Sequence, residues 1–189
     1  MSYGDHAIQE DRVTVKTVVS GIAYVAFVVI AVWVIKSFII SPYTIPSSSM
    51  SDTISIGDNV WSERITYYFS DPKPGDIVTF DDPLNPSRTL IKRVVAVGGQ
   101  TVDLIDGKVV VDGVALDEPY TDGKASYPET PAAGVSISYP YTIPDGEIWV
   151  MGDNRTNSAD SRYFGSIDAS SVSGRAIAIY WPIDHIGAL

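Results

Sequence analysis

The sequence predicts a mainly β protein, with a single N-terminal transmembrane helix followed by an all-β domain. Three observations carry this reading. The 19 residues from Thr17 to Ile35, between Lys16 and Lys36, carry no charge. From Pro42 onward short apolar runs alternate with turn residues, and little helical periodicity is left. Within that part Asp106-Gly107 separates Thr101–Ile105 from Lys108–Val111, a strong signal for a two-residue β-hairpin turn.

As a helix the uncharged run spans about 28 Å at roughly 1.5 Å per residue, close to the hydrocarbon thickness of about 30 Å. Ile22, Val25, Phe27, Val28, Val29, Ile30, Val32 and Val34 put apolar side chains on every face, which argues against a helix lying on the membrane surface. Phe38-Ile39-Ile40 prolong the run beyond Lys36 and Ser37, past the roughly 7–15 apolar residues of a cleaved signal peptide. The expected organisation is an N-terminal cytoplasmic segment (1–16), a retained signal-anchor (17–40) and an extracytoplasmic β domain (41–189). Arg12 and Lys16 flank one end of the run and Lys36 the other, a mild bias toward a single-pass protein of the cell membrane with its N-terminus inside.

Beyond the anchor, Pro74-Gly75-Asp76 is a turn leading into the strand Ile77–Phe80, and the stretch from Asp82 to Pro86 is a break before a strand from Thr89 to Val97. Gly98-Gly99 ends it, the Asp106-Gly107 hairpin follows, and Asp112-Gly113 closes the second hairpin strand. Residues 118–140, rich in Pro, Gly, Ser, Thr and Tyr, read as an irregular insertion. Glu147–Met151 and Arg175–Trp181 supply the last strands, on either side of the polar stretch 152–174.

Composition excludes several kinds of chemistry. A net charge of −10 without clustered Lys or Arg argues against a nucleic-acid partner. The absence of cysteine removes thiol nucleophiles, thiolate metal sites and disulfides. The two histidines are His6, before the apolar run, and His185, near the C-terminus, so a Ser-His-Asp triad and a metal site are both poorly supported. No metal and no cofactor are expected.

Candidate chemistry begins at Ile45-Pro46-Ser47-Ser48-Ser49-Met50. Three hydroxyls just after a membrane segment are either a serine-rich linker or a nucleophile held at the bilayer surface. A serine nucleophile needs a base, and with histidine scarce lysine is left. Lys92 interrupts an apolar strand, sharing one face with Leu90 and Val94. It either snorkels from a strand edge or is buried, which disfavours the ammonium and makes the amine a usable general base. The polar stretch Met151–Arg162 is either an Asx-rich solvated turn or a charge-paired scaffold under a site. Its Asn154-Arg155-Thr156 also fits the glycosylation pattern.

These segments occur in a telling order: an apolar anchor, Pro46-Ser47-Ser48-Ser49-Met50, Pro74-Gly75-Asp76-Ile77-Val78, Ile91-Lys92-Arg93-Val94, then Gly152-Asp153-Asn154-Arg155 through Ser158-Ala159-Asp160-Ser161-Arg162. In this the sequence resembles the bacterial type I signal peptidases, or leader peptidases, from the anchor to about Tyr180. Each motif is weak alone, and the ordered set is specific.

The resemblance implies a signal-peptidase-like β fold in which Ser49 is the nucleophile and Lys92 the general base. It further implies that Ser158 hydrogen-bonds and orients the lysine, and that Ser47 joins the Ser49 amide in an oxyanion hole. Arg93, Asp153, Asp160 and Arg162 match structural ion pairs, while Tyr43, Ile45, Met50 and Ile91 match positions lining shallow pockets for small side chains. Three positions depart from the commonest pattern: Ser48 stands for glycine, Ser51-Asp52 for a proline, and Thr156 for an aspartate. The implied activity is a membrane-anchored serine endopeptidase that cleaves signal peptides after small residues. Its partners would be signal-peptide-bearing preproteins, the lipid bilayer and, transiently, the secretion machinery. The rival expectations are a non-catalytic membrane-tethered β domain, in which Lys92 is exposed and far from Ser49, and an inactive homologue.

Overall fold

A computed structural model describes residues 15–189. His6, Arg12 and all but the last two residues of the expected cytoplasmic segment lie outside the described residues. Helix α1 (Val15–Val34) continues through a π-helical turn, Ile35–Ile39, and the two together are long and apolar enough to cross a membrane. None of the side chains in α1 is buried, so it is not the core helix of a soluble fold. The described residues up to Ser37 form one compact unit and Phe38–Leu189 another.

The second unit is a β domain. Its strands are β1 (Ile40–Thr44), β2 (Asn59–Glu63), β3 (Ile77–Asp82), β4 (Asn85–Val97), β5 (Thr101–Ile105) and β6 (Lys108–Val111). There follow β7 (Val114–Ala115), β8 (Tyr141–Thr142), β9 (Glu147–Met151), β10 (Ile167–Asp168), β11 (Val172–Trp181) and β12 (Gly187–Ala188). The larger sheet runs β1-β2-β11-β3-β4-β9-β10, with β12 added to β11, and the smaller runs β7-β6-β5-β8. A single short helix, α2 (Ser161–Phe164), sits in the polar stretch, capped by the Asp160 carboxylate, which accepts from the Arg162 amide.

The Asp106-Gly107 turn forms as expected, both residues at positive φ (51° and 78°), which suits the twist of the flanking strands. The expected break before Thr89 is shorter than the sequence suggested. Asp82 accepts from the Leu84 amide at 2.9 Å, and the chain re-enters the sheet at Asn85. Pro86, which has no N–H to offer, falls where the β3–β4 register shifts, between the Asp81–Thr89 and Asp82–Asn85 pairs. A second irregularity separates Val94 and Ala96 on the β9 side of β4. It brings the neighbours Val95 and Ala96 into the same apolar cluster.

The core comprises three clusters. One gathers Ile45, Met50, Ile54, Val60, Ile77, Ile91, Ala176 and Ile179. Another, around Trp149, joins β4 and β9 to the β5–β6 hairpin. The third packs Val78, Phe80, Val94, Ile148 and Val150 beneath Phe164 and Ile167. Residues 118–140 are irregular apart from one 3-10 turn, Pro119–Thr121.

Candidate active site

Ser49 lies on a tight turn held from both sides by buried apolar neighbours. Ile45 exchanges backbone hydrogen bonds with the chain at Gly57 and Asp58, both 2.9 Å. On the other side Met50 is fully buried, and its carbonyl accepts from the amides of Thr53 and Ile54. Anchoring Ile45 and Met50 in one cluster leaves the three serines between them as the crest of the turn, with Ser47 exposed and Ser49 only 7% exposed.

Lys92 reaches the same point from β4. Its strand neighbours Leu90 and Val94 and its cross-strand partner Val78 all belong to or pack against the third cluster. The lysine is 3% exposed, so the snorkelling alternative does not hold. Its Nζ donates to Ser49 Oγ at 2.8 Å and to the Ile91 carbonyl at 2.9 Å. Burial pulls the amine's pKa down from its ordinary 10.5 to about 8. Asp160, Asp153 and Asp82 oppose that shift and Arg88 assists it, yet desolvation outweighs them.

The stretch after β9 closes over the serine turn. The Asn154 amide donates to the Ser49 carbonyl at 3.0 Å, and the Asn154 side chain donates to the Ser48 carbonyl and Ser51 Oγ, both at 3.0 Å. Asn154 is therefore buried with its amide group engaged, and the glycosylation pattern cannot be used in the folded protein. Arg93 binds Asp153 in a fork, at 2.8 and 2.7 Å, and Arg162 binds Asp160 in the same way, at 2.9 and 2.8 Å. Asp160 also accepts from the Gly152 amide at 3.0 Å, tying the stretch to the end of β9.

Each departure from the common motif finds a partner. Ser48 has no positive φ, so its Cβ brings no backbone strain, and its hydroxyl accepts from the Asn157 side chain at 2.9 Å. Ser51 accepts from Asn154, Asp52 pairs with Lys124, and Thr156 Oγ1 donates to Asn154 Oδ1 at 3.3 Å.

Ser158, which the resemblance implied would orient the lysine, makes no hydrogen bond to it in this structure. Its Oγ is buried without a hydrogen-bond partner, and the second bond of the lysine amine goes to the Ile91 carbonyl. Ser158 packs over the bare Cα of Gly152: a Cβ there would lie 2.2 Å from Ser158 Oγ and 2.5 Å from the Ser49 carbonyl oxygen. Ile45, Met50 and Ile91 do converge in one buried cluster, with half-buried Tyr43 packed against it. His185 is engaged elsewhere, with Nδ1 2.7 Å from Asp58 Oδ1. Among the described residues no group of three His, Asp or Glu side chains could hold a metal ion.

Two features escaped the sequence reading. The close approach at Gly152 had one faint signal, a glycine placed between a buried strand and an Asx-rich turn. The other is the pairing of Arg155 with Glu118, from the irregular insertion.

Comparison with known proteins agrees with this order of segments. The family described as "Signal peptidase, peptidase S26" matches residues 18–181. A signal peptidase I of Leptolyngbya laminosa is 32% identical over 176 residues, covering 89% of this chain and 82% of its own. A probable signal peptidase I-2 of Synechocystis is 36% identical over 160 residues, with coverage of 82% and 69%. A signal peptidase I of Mycobacterium tuberculosis is 32% identical, with coverage of 85% and 71%. The chain belongs to the signal peptidase family, peptidase S26.

Proposed function

We propose that this protein is a membrane-anchored serine endopeptidase that removes signal peptides from exported preproteins, with Ser49 as nucleophile and Lys92 as general base. The observation that carries the reading is the 2.8 Å contact between a buried amine and the Ser49 hydroxyl. A neutral amine at that distance takes the hydroxyl proton as Oγ attacks the scissile carbonyl. The Ser49 N–H and the Ser47 hydroxyl are the donors proposed for the developing oxyanion. The resulting Lys92 ammonium then gives its proton to the departing amine. Neutral again, it activates the water that releases the acyl group from Ser49.

Two strand edges suit an extended substrate. β1 lies at the edge of its sheet, and β4 pairs with β9 only from Arg93 onward, leaving residues 85–92 without a ladder partner opposite β3. A peptide lying along them gains main-chain hydrogen bonds. Of the clustered apolar residues Tyr43, Ile45, Met50 and Ile91, half-buried Tyr43 and, at 8% exposure, Ile91 reach the surface most, and they are proposed to meet the short side chains next to the cleaved bond.

The apolar helix holds the domain at the bilayer, where a preprotein whose signal segment is still embedded presents its cleavage site. In this reading the N-terminus is cytoplasmic, the membrane is the plasma membrane, and contact with the secretion machinery is transient. The test is cleavage of a signal-peptide-bearing preprotein by the full-length protein in lipid, beside Ser49→Ala. Product of mature length from the wild type alone supports the reading, and equal activity of the two contradicts it.

A further inference from the structure

The irregular insertion is fastened to the site at several points, among them Ser126 Oγ, which accepts from Arg155 at 2.8 Å, and Glu129, which pairs with Arg162 at 3.0 Å. Glu118 receives both terminal nitrogens of Arg155, at 2.8 and 2.6 Å. The Tyr120 ring lies 4.1 Å from the Arg93 guanidinium and 5.9 Å from that of Arg155, and its hydroxyl donates to Glu118 at 2.9 Å. Lys124 pairs with Asp52, on the same turn as Ser49.

Arg155 is 1% exposed and cannot shed its charge, so it needs a carboxylate. The two acids of its own stretch are already engaged, Asp153 by Arg93 and Asp160 by Arg162. The counter-charge comes instead from Glu118, 37 residues earlier in the chain. Once paired, Arg155 braces its own stretch by donating from Nε to the Gly152 carbonyl at 3.0 Å. The next residue in the stretch to act is Asn154, whose amide holds the Ser49 carbonyl.

We infer that residues 118–126 form a brace that positions the nucleophile turn, Glu118 acting through Arg155 and Lys124 through Asp52. The inference rests on the reading of Ser49 and Lys92 as nucleophile and base. Glu118 and Lys124 are positioning residues, since their contacts are to Arg155, Tyr120 and Asp52 rather than to Ser49 Oγ or Lys92 Nζ. Loosening the turn disturbs the alignment of Ser49 Oγ while leaving the strand edges along which a peptide would lie. The effect therefore belongs on kcat and not on KM.

The experiment compares full-length wild type, Glu118→Gln, Arg155→Lys, their double variant and Lys124→Met in lipid. It measures cleavage of a signal-peptide substrate together with amide hydrogen exchange. Glu118→Gln is expected to lower kcat by about 10- to 100-fold, the scale of a misplaced reacting group, with KM within about twofold. The double variant should be no slower than the worse single one, because both changes break the same link. Exchange at residues 48–52 should accelerate by about tenfold as local opening becomes easier, with the β5–β6 hairpin unchanged.

Lys124→Met, at a half-exposed position, should do the same on a smaller scale and serves if Glu118→Gln does not fold. Wild-type kcat in a folded variant, a rise in KM alone, or additive losses would each overturn the brace. Should the wild type cleave no signal peptide, the functional reading falls by itself. Exchange then decides the brace, and unchanged exchange at residues 48–52 overturns it.

Discussion

Ser49 Oγ and Lys92 Nζ meet at 2.8 Å across 43 residues of sequence, inside the protein and without a histidine between them. The turn that bears the serine is fixed by Ile45 and Met50, and the strand that bears the lysine by its pairing with β3. Burial acts on both groups. Ser49 is 7% and Lys92 3% exposed, and for the lysine burial disfavours the ammonium that would be useless as a base.

The first consequence is a pH profile. With the Lys92 pKa drawn down to about 8, kcat/KM should rise with pH and reach half its plateau near there. Below the midpoint it should fall about tenfold per pH unit, the mark of one essential deprotonation. A profile that is flat from pH 6 to 9 would separate catalysis from Lys92.

The same burial has a cost in stability, with a defined sign. Below about pH 8 Lys92 is protonated in both the folded and unfolded states, and the folded state bears the full penalty of a buried ammonium. Between there and 10.5 only the unfolded state keeps the proton, so stability rises with pH until the penalty is gone. Lys92→Met should therefore gain stability relative to wild type at pH 7, and the gain should shrink by about 3 kcal/mol toward pH 10.5. Denaturant titrations of the two proteins at both pH values measure it.

Gly152→Ala should be far more damaging than an added methyl suggests. The new Cβ would stand 2.5 Å from the Ser49 carbonyl oxygen, a backbone atom that cannot yield without moving the nucleophile. A loss of about 100-fold or more in kcat is expected from displacement on the order of 1 Å. Steady-state kinetics on folded protein checks it.

Asp153→Asn leaves the largely buried Arg93 guanidinium without its fork partner. Removing one member of a buried pair typically costs about 3–5 kcal/mol, so the unfolding midpoint in denaturant should drop sharply. A shift of a few tenths of a kcal/mol would mean that the pair behaves as a surface contact.

Much of this was legible because local chemistry decided it. The uncharged run, the Asp106-Gly107 turn and an amine set in an apolar strand each carry their own physical reason. β1 was not legible, since Ile40-Ser41-Pro42-Tyr43-Thr44 has no clean alternation and becomes a strand only by pairing with β2. The start of β4 was hidden because Pro86 reads as a breaker until a register shift accommodates it. Motif order singled out Ser158 as the lysine's partner, but hydrogen bonding is decided by three-dimensional packing, and Ser158 Oγ is buried here without a partner. The counter-charge of Arg155 is a contact between distant segments, which neither composition nor spacing reveals.

The most direct test of Ser/Lys catalysis is cleavage of a signal-peptide substrate by purified Lys92→Arg, measured beside wild type and Ser49→Ala at pH 8 to 9. A guanidinium stays protonated to about pH 12 and cannot act as the base. Activity as low as that of Ser49→Ala is therefore expected in a folded protein. Retention of more than about a tenth of wild-type cleavage, a barrier change under roughly 1.4 kcal/mol, would contradict a catalytic role for Lys92.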